Sequence, residues 1–96
     1  MDIRKIAETL EALKPELRRV YHVERIGVFG SYARGEAGPA SDVDILVEFN
    51  GPIDLFKFVE LKRLLTEALG IQVDLVSRKA LKPFIGRVIL DEVVYL

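Results

Sequence analysis

The feature that most limits what this chain can become is a pair of aspartates set into an otherwise apolar run, Ser41-Asp42-Val43-Asp44-Ile45-Leu46-Val47-Glu48-Phe49. Side chains on a strand point alternately to opposite faces. Asp42 and Asp44 therefore share one face, and Val43, Ile45, Val47 and Phe49 share the other. The apolar face needs a core to pack on, which fixes the register: a slip of one residue would bury both carboxylates. Two acids side by side at a strand's start repel each other unless a cation sits between them. Carboxylate oxygens with waters and substrate phosphates are what a hard dication such as Mg²⁺ takes.

A second apolar run, Ile26, Val28 and Phe29, precedes this one and stops at Gly30-Ser31. A glycine at a strand end lets backbone approach a ligand closely, and the turn that follows offers N–H groups and a hydroxyl to an anion. If the two strands run antiparallel, the end of the first lies beside the start of the second. A phosphate cradle and an acid pair then meet at one end of the sheet. Arg34 reads as a phosphate ligand or a clamp on this loop, or as a surface charge. Tyr32 is either core or a wall for substrate. Glu36 is left outside the site.

After Asn50-Gly51-Pro52 comes a helical pattern with Asp54 as N-cap, Leu55, Phe58, Val59, Lys62, Leu65 and Leu69 at helical steps, and Gly70 as its stop. That length suits a crossover to a third strand, Ile71 to Val76, parallel to the second. There Asp74 falls on the face opposite Val73 and Leu75. An acid among aliphatic residues is costly without a partner, and beside Asp42 and Asp44 it completes a cluster able to hold two divalent ions. The alternative is an edge-strand acid facing water or pairing with Arg25.

Gly30-Ser31, ten intervening residues, then Asp42-Val43-Asp44, together with Arg34-Gly35 and Ser41, resembles the signature of the polymerase-β-like nucleotidyltransferases. The short chain is similar to their minimal branch, the MntA-type antitoxins that pair with HEPN toxins. The resemblance covers about residue 20 to the C-terminus. It implies an α/β fold, a small mixed sheet flanked by helices. It also implies transfer of AMP from ATP to a hydroxyl of a HEPN toxin, a tyrosine being the expected acceptor. Asp42, Asp44 and Asp74 would be the catalytic, metal-holding acids for two Mg²⁺ ions, and Gly30, Ser31 and Arg34 the nucleotide-binding set. Neutralisation of a partner by simple occlusion is the competing expectation. An antibiotic-modifying nucleotidyltransferase would need a further substrate domain.

The remaining features bound these expectations. At 96 residues the chain reads as one domain, 1–96, with room for a single core. No apolar run approaches the ~20 residues that span a bilayer, and the acidic, helix-patterned start does not resemble a leader, so the cytoplasm is expected and a membrane is not. With no cysteine, disulfides and thiolate metal sites are excluded. Lys and Arg number 14 against 15 Asp and Glu, a balance that disfavours a nucleic-acid partner.

Ile3, Ile6, Ala7, Leu10, Leu13, Leu17 and Val20 predict an amphipathic helix over residues 2–20 that Pro15 divides, one helix ending near Leu13 and a short turn beginning at Pro15. His22 reads as a junction residue, because no second His or Cys is near it. Ser77-Arg78-Lys79 and Lys82 read as a solvated basic loop, or as a contact for nucleotide or an acidic partner. Leu81 to Leu96 predicts a last helix too apolar for one stripe, half core and half interface, through which a hetero-oligomer or homodimer would form.

Overall fold

The computed structural model describes residues 2–96. Helix α1 (Ile3–Tyr21) leads into strand β1 (Val23–Phe29), a short helix α2 (Gly30–Arg34) and strand β2 (Val43–Phe49). Helix α3 (Leu55–Leu69), strand β3 (Val73–Ser77), a 3₁₀ turn (Arg78–Ala80), helix α4 (Pro83–Glu92) and strand β4 (Val94–Tyr95) follow. The sheet runs in the order β3-β2-β1-β4, with β2 antiparallel to β1 and parallel to β3. The mixed sheet flanked by helices is the architecture anticipated above.

One face of the sheet is the core. Val43, Ile45 and Val47 of β2 lie under Ile6, Leu10 and Leu17 of α1 and Leu61, Leu65 and Leu69 of α3, with Ile26, Val28, Val73 and Leu75 between them. Each such side chain fully buried contributes roughly 1.5–3 kcal/mol. Val23 and Ile26 both reach this face although three residues apart, because the β1–β2 register shifts between Val23 and Arg25. A bulge there takes up the extra residue. Tyr32 is buried in the same cluster, so it packs the core.

Caps delimit the helices as the sequence predicts for α3: Asp54 accepts from the Lys57 N–H at 2.8 Å, and Gly70 ends the helix at φ +69°. For α1 the Asp2 carboxylate accepts from the Lys5 N–H at 3.1 Å. His22 closes α1 in the left-handed region at φ 57°, its N–H donating to the Leu17 carbonyl. The lone histidine is a helix terminator.

Two expectations fail. Pro15 does not divide α1, which is continuous from Ile3 to Tyr21. The proline removes one N–H and displaces the carbonyl four residues back, that of Glu11. Both residues face solvent, while Leu10 before and Leu17 after are fully buried, so packing holds the helix across the defect. The C-terminal segment is not one helix: α4 ends at Glu92, and Val94-Tyr95 adds a fourth strand antiparallel to β1 at Gly27 and Val28. Nor is α4 half core. Its only buried residue is Gly86, and Phe84 is 82% exposed, with Ile85 and Val88 more than half exposed. No described helix is long and apolar enough to cross a membrane.

Candidate functional site

The opposite face of the sheet carries the polar chemistry. Asp44, Leu46 and Glu48 of β2 face the same way as Gly27 and Phe29 of β1 and as Asp74 of β3. In the parallel β2–β3 ladder Asp44 stands directly opposite Asp74, as Val43 stands opposite Val73. The crossover through α3 thus brings two acids from residues 44 and 74 into adjacent strands on one face. Asp42 lies one step before β2, exposed, where the Val43 N–H has already turned to the Gln72 carbonyl at 2.9 Å.

This juxtaposition perturbs Asp44. Its carboxyl is pushed above the usual carboxylate range, first by partial burial, then by the charge of Asp74 and a hydrogen bond with it, then by the charge of Asp42. Arg34 acts in the opposite sense. A carboxyl that gains a proton to relieve repulsion from its neighbours is one that a cation would relieve equally well. All the donors are hard carboxylate oxygens, so Mg²⁺ suits them. Among the described residues, however, no three acid, His or Cys side chains are grouped closely enough to hold a metal ion. Asp44 and Asp74 form the adjacent pair; Asp42 acts on Asp44 through its charge.

Gly30 is forced by its neighbour. Its φ is +74°, and a Cβ placed there would collide with Asp44 Oδ2. Only glycine lets the β1 end turn this close to the acid. Phe29, the register partner of Asp44, precedes it in extended conformation. Gly30 opens α2 with Ser31 next to it, and Gly35 closes the helix with φ +72°. The antiparallel β1–β2 pair therefore sets the Gly30-Ser31 turn beside Asp44, the meeting anticipated from the sequence.

Arg34 is held by two carboxylates. Its Nε donates to Glu36 at 3.0 Å and its Nη1 to Glu92 at 2.5 Å. The Gly30 N–H donates to the same Glu92 oxygen at 2.7 Å. The Gly30 amide is thus engaged within the chain, and what this residue leaves to a ligand is space. Arg25 pairs with Glu48 at 3.6 Å and stacks over the Tyr95 ring, away from Asp74, so the ion pair weighed for Asp74 does not form. Arg78 and Lys82 line a groove of about 430 Å³ with Leu81, Gly86 and Arg87, apart from the acid pair.

Glu92 and Gly27 were invisible in the sequence. Glu92 sits at the end of an apolar stretch with no spacing that ties it to residue 30. Gly27 meets Val93 Cγ2 and the Val94 carbonyl at 2.7 and 2.9 Å from a hypothetical Cβ, so its missing side chain admits the C-terminal strand. A glycine inside an otherwise β-branched strand was the one available signal.

A carboxylate pair on adjacent strands, with a glycine turn pressed against it, gathers hard oxygen donors at one end of the sheet. The chain belongs to the nucleotidyltransferase domain family, whose profile matches residues 3–96. It is 49% identical over 96 residues to the protein adenylyltransferase MntA of Thermococcus cleftensis, covering 100% of this chain and 97% of that one. A solved minimal nucleotidyltransferase superposes with a TM-score of 0.87 at 38% identity, covering 100% of this chain and 97% of its own. A chain of an MntA–HpeT toxin–antitoxin complex superposes at 0.71 with 26% identity, covering 100% of this chain and 72% of that one.

Proposed function

We propose that this chain transfers AMP from ATP to a hydroxyl of a partner protein, a tyrosine of a HEPN-type toxin, and so acts as its antitoxin in the cytoplasm. The observation that carries the reading is the in-register pairing of Asp44 with Asp74, with Gly30-Ser31 packed against Asp44. The similarity to a protein adenylyltransferase and to a toxin–antitoxin component supports the reaction and the partner.

In this reading the Ser31 hydroxyl and backbone N–H hold the β- and γ-phosphates, and the Arg34 N–H groups not taken by Glu36 and Glu92 assist. Gly30 gives the triphosphate room beside Asp44. Mg²⁺, expected as two ions, would be held by the Asp44 and Asp74 pair with the Asp42 charge beside it, and would neutralise the charge on the phosphates. Asp74, on the outer strand and exposed, receives the proton of the incoming hydroxyl. The pair Asp44 and Asp74 orients that hydroxyl in line with the α-phosphorus, and pyrophosphate leaves toward Ser31.

The second reading, neutralisation by occlusion alone, draws on the exposed apolar residues of α4. One experiment separates them. The chain is co-expressed with its co-purifying partner, incubated with ATP and Mg²⁺, and the partner's intact mass is recorded for wild type and Asp44→Ala. We expect the partner to gain AMP with wild type only, and the variant to bind but not protect. Full protection by the variant with no mass gain would leave occlusion as the function.

A further inference from the structure

Glu92 ends α4 and lies 62 residues from Gly30, yet one of its oxygens accepts from both the Gly30 N–H and Arg34 Nη1. Both hydrogen bonds are charge-assisted, the stronger kind. The side chain keeps 23% exposure, so it is inserted between these donors and is not lying over them. The donors need it. The Gly30 N–H stands at a strand end where the chain leaves the β1–β2 ladder, and the first N–H groups of a helix have no partner within it.

Glu92 is also fixed from behind. The residues after it enter β4, where Val94 and Tyr95 pair with Val28 and Gly27, and the Leu96 N–H donates to the Ile26 carbonyl at 3.0 Å. Val93 packs on the bare Cα of Gly27. The carboxylate is therefore delivered by anchored main chain on both sides of the contact. Arg34 is held at the same place: Glu92 takes Nη1 and Glu36 takes Nε, so two corners of the planar fork are fixed.

We propose that Glu92 is a positioning residue for nucleotidyl transfer. It fixes the Gly30-Ser31 turn against Asp44 and holds Arg34 with its remaining N–H groups facing the triphosphate. This role rests on the reading that the turn takes a triphosphate. A C-terminal element, on the far side of β1 from the acid strands, thereby sets the geometry of the nucleotide pocket.

The test uses the full chain, its co-purifying partner, and ATP with Mg²⁺. Glu92→Ala is expected to raise the ATP Kd and KM by about tenfold while kcat changes much less, the mark of lost binding geometry. Glu92→Gln keeps an acceptor for the Gly30 N–H but removes the charge facing Arg34, and should fall between. In Arg34→Ala the further change Glu92→Ala should cost less than it does alone, since one shared partner is gone. Cooperative melting of all three single variants checks that they fold.

In wild type the Gly30 amide resonance should be exchange-protected, and in Glu92→Ala it should shift and lose protection; an amide equally protected in both overturns the clamp. Unchanged ATP affinity in Glu92→Ala overturns the role, and tighter binding overturns it too, by showing that the carboxylate competes with phosphate. A wild-type chain that binds no ATP overturns the proposed reaction and this role together. Wild-type binding with an unaffected Glu92→Ala overturns the role alone.

Discussion

Asp44 is the residue where structure and chemistry oppose each other. Its folded pKa is raised above the unfolded value of 3.8, so the folded chain binds the proton more tightly than the unfolded one. The stability this group adds is fully present below the unfolded pKa and is lost as pH rises through the folded one. Once it is ionised, the repulsion from Asp74 and Asp42 opposes folding. Asp44→Asn should therefore raise the melting temperature at pH 7, by less than about 1 kcal/mol in stability because solvent screens a carboxyl this open. The gain should vanish below pH 4, and the variant should transfer no AMP. Added Mg²⁺ should raise the wild-type melting temperature and leave that of Asp44→Asn almost unmoved, a ligand-linkage comparison readable by thermal shift. Gly30→Ala carries two penalties, a left-handed φ and a collision with Asp44, and should cost more stability than any other glycine-to-alanine change in the turn. Denaturant titration would show it.

At the scale of elements, the strands and the crossover were readable because their signals are local. The alternation from Asp42 to Phe49, the N-cap at Asp54 and the stop at Gly70 each specify a boundary within a few residues. The Gly30-Ser31 turn beside Asp44 and the pairing of Asp44 with Asp74 follow from the hairpin and the crossover, whereas Asp42 stands before β2, outside the strand alternation expected of it. What escaped depends on distant packing. The continuity of α1 through Pro15 is decided by Leu10 and Leu17 against the sheet, a tertiary override of a local breaker. Replacing Pro15 with Ala should stabilise the chain by about 1–2 kcal/mol, the restored helical hydrogen bond being partly offset by a freer unfolded chain. Chemical denaturation measures this directly. The strand at Val94-Tyr95 is two residues long, too short to leave a periodicity, and it exists because Gly27 opposite has no side chain. Gly27→Ala would press a methyl on Val93 and on the Val94 carbonyl. We expect it to loosen β4, seen as faster amide exchange at Val28 and Leu96 with α1 and α3 unaffected.

For the molecule as a whole, the two sides of α4 divide the work. One end reaches the site through Glu92, while Phe84, Ile85 and Val88 face outward with little cover. Exposed apolar side chains on one helical face are the expected contact for a partner protein. Phe84→Glu should abolish co-purification of the partner while leaving the melting temperature within about 1 kcal/mol of wild type in stability, because the side chain supports nothing in the chain itself. The opposite margin of the sheet is formed by β3, whose far side pairs with no other described strand. Its sequence, Val-Asp-Leu-Val-Ser, is short and aliphatic, the sort of margin along which molecules stack into fibrils, and Asp74 is the only formal charge in it. A charge on such a margin is the usual means of blocking edge-to-edge pairing, and here that charge is the acid proposed to take the acceptor's proton. Neutralising it should cost solubility as well as activity, so Asp74→Asn would precipitate at concentrations where Asp44→Asn stays clear.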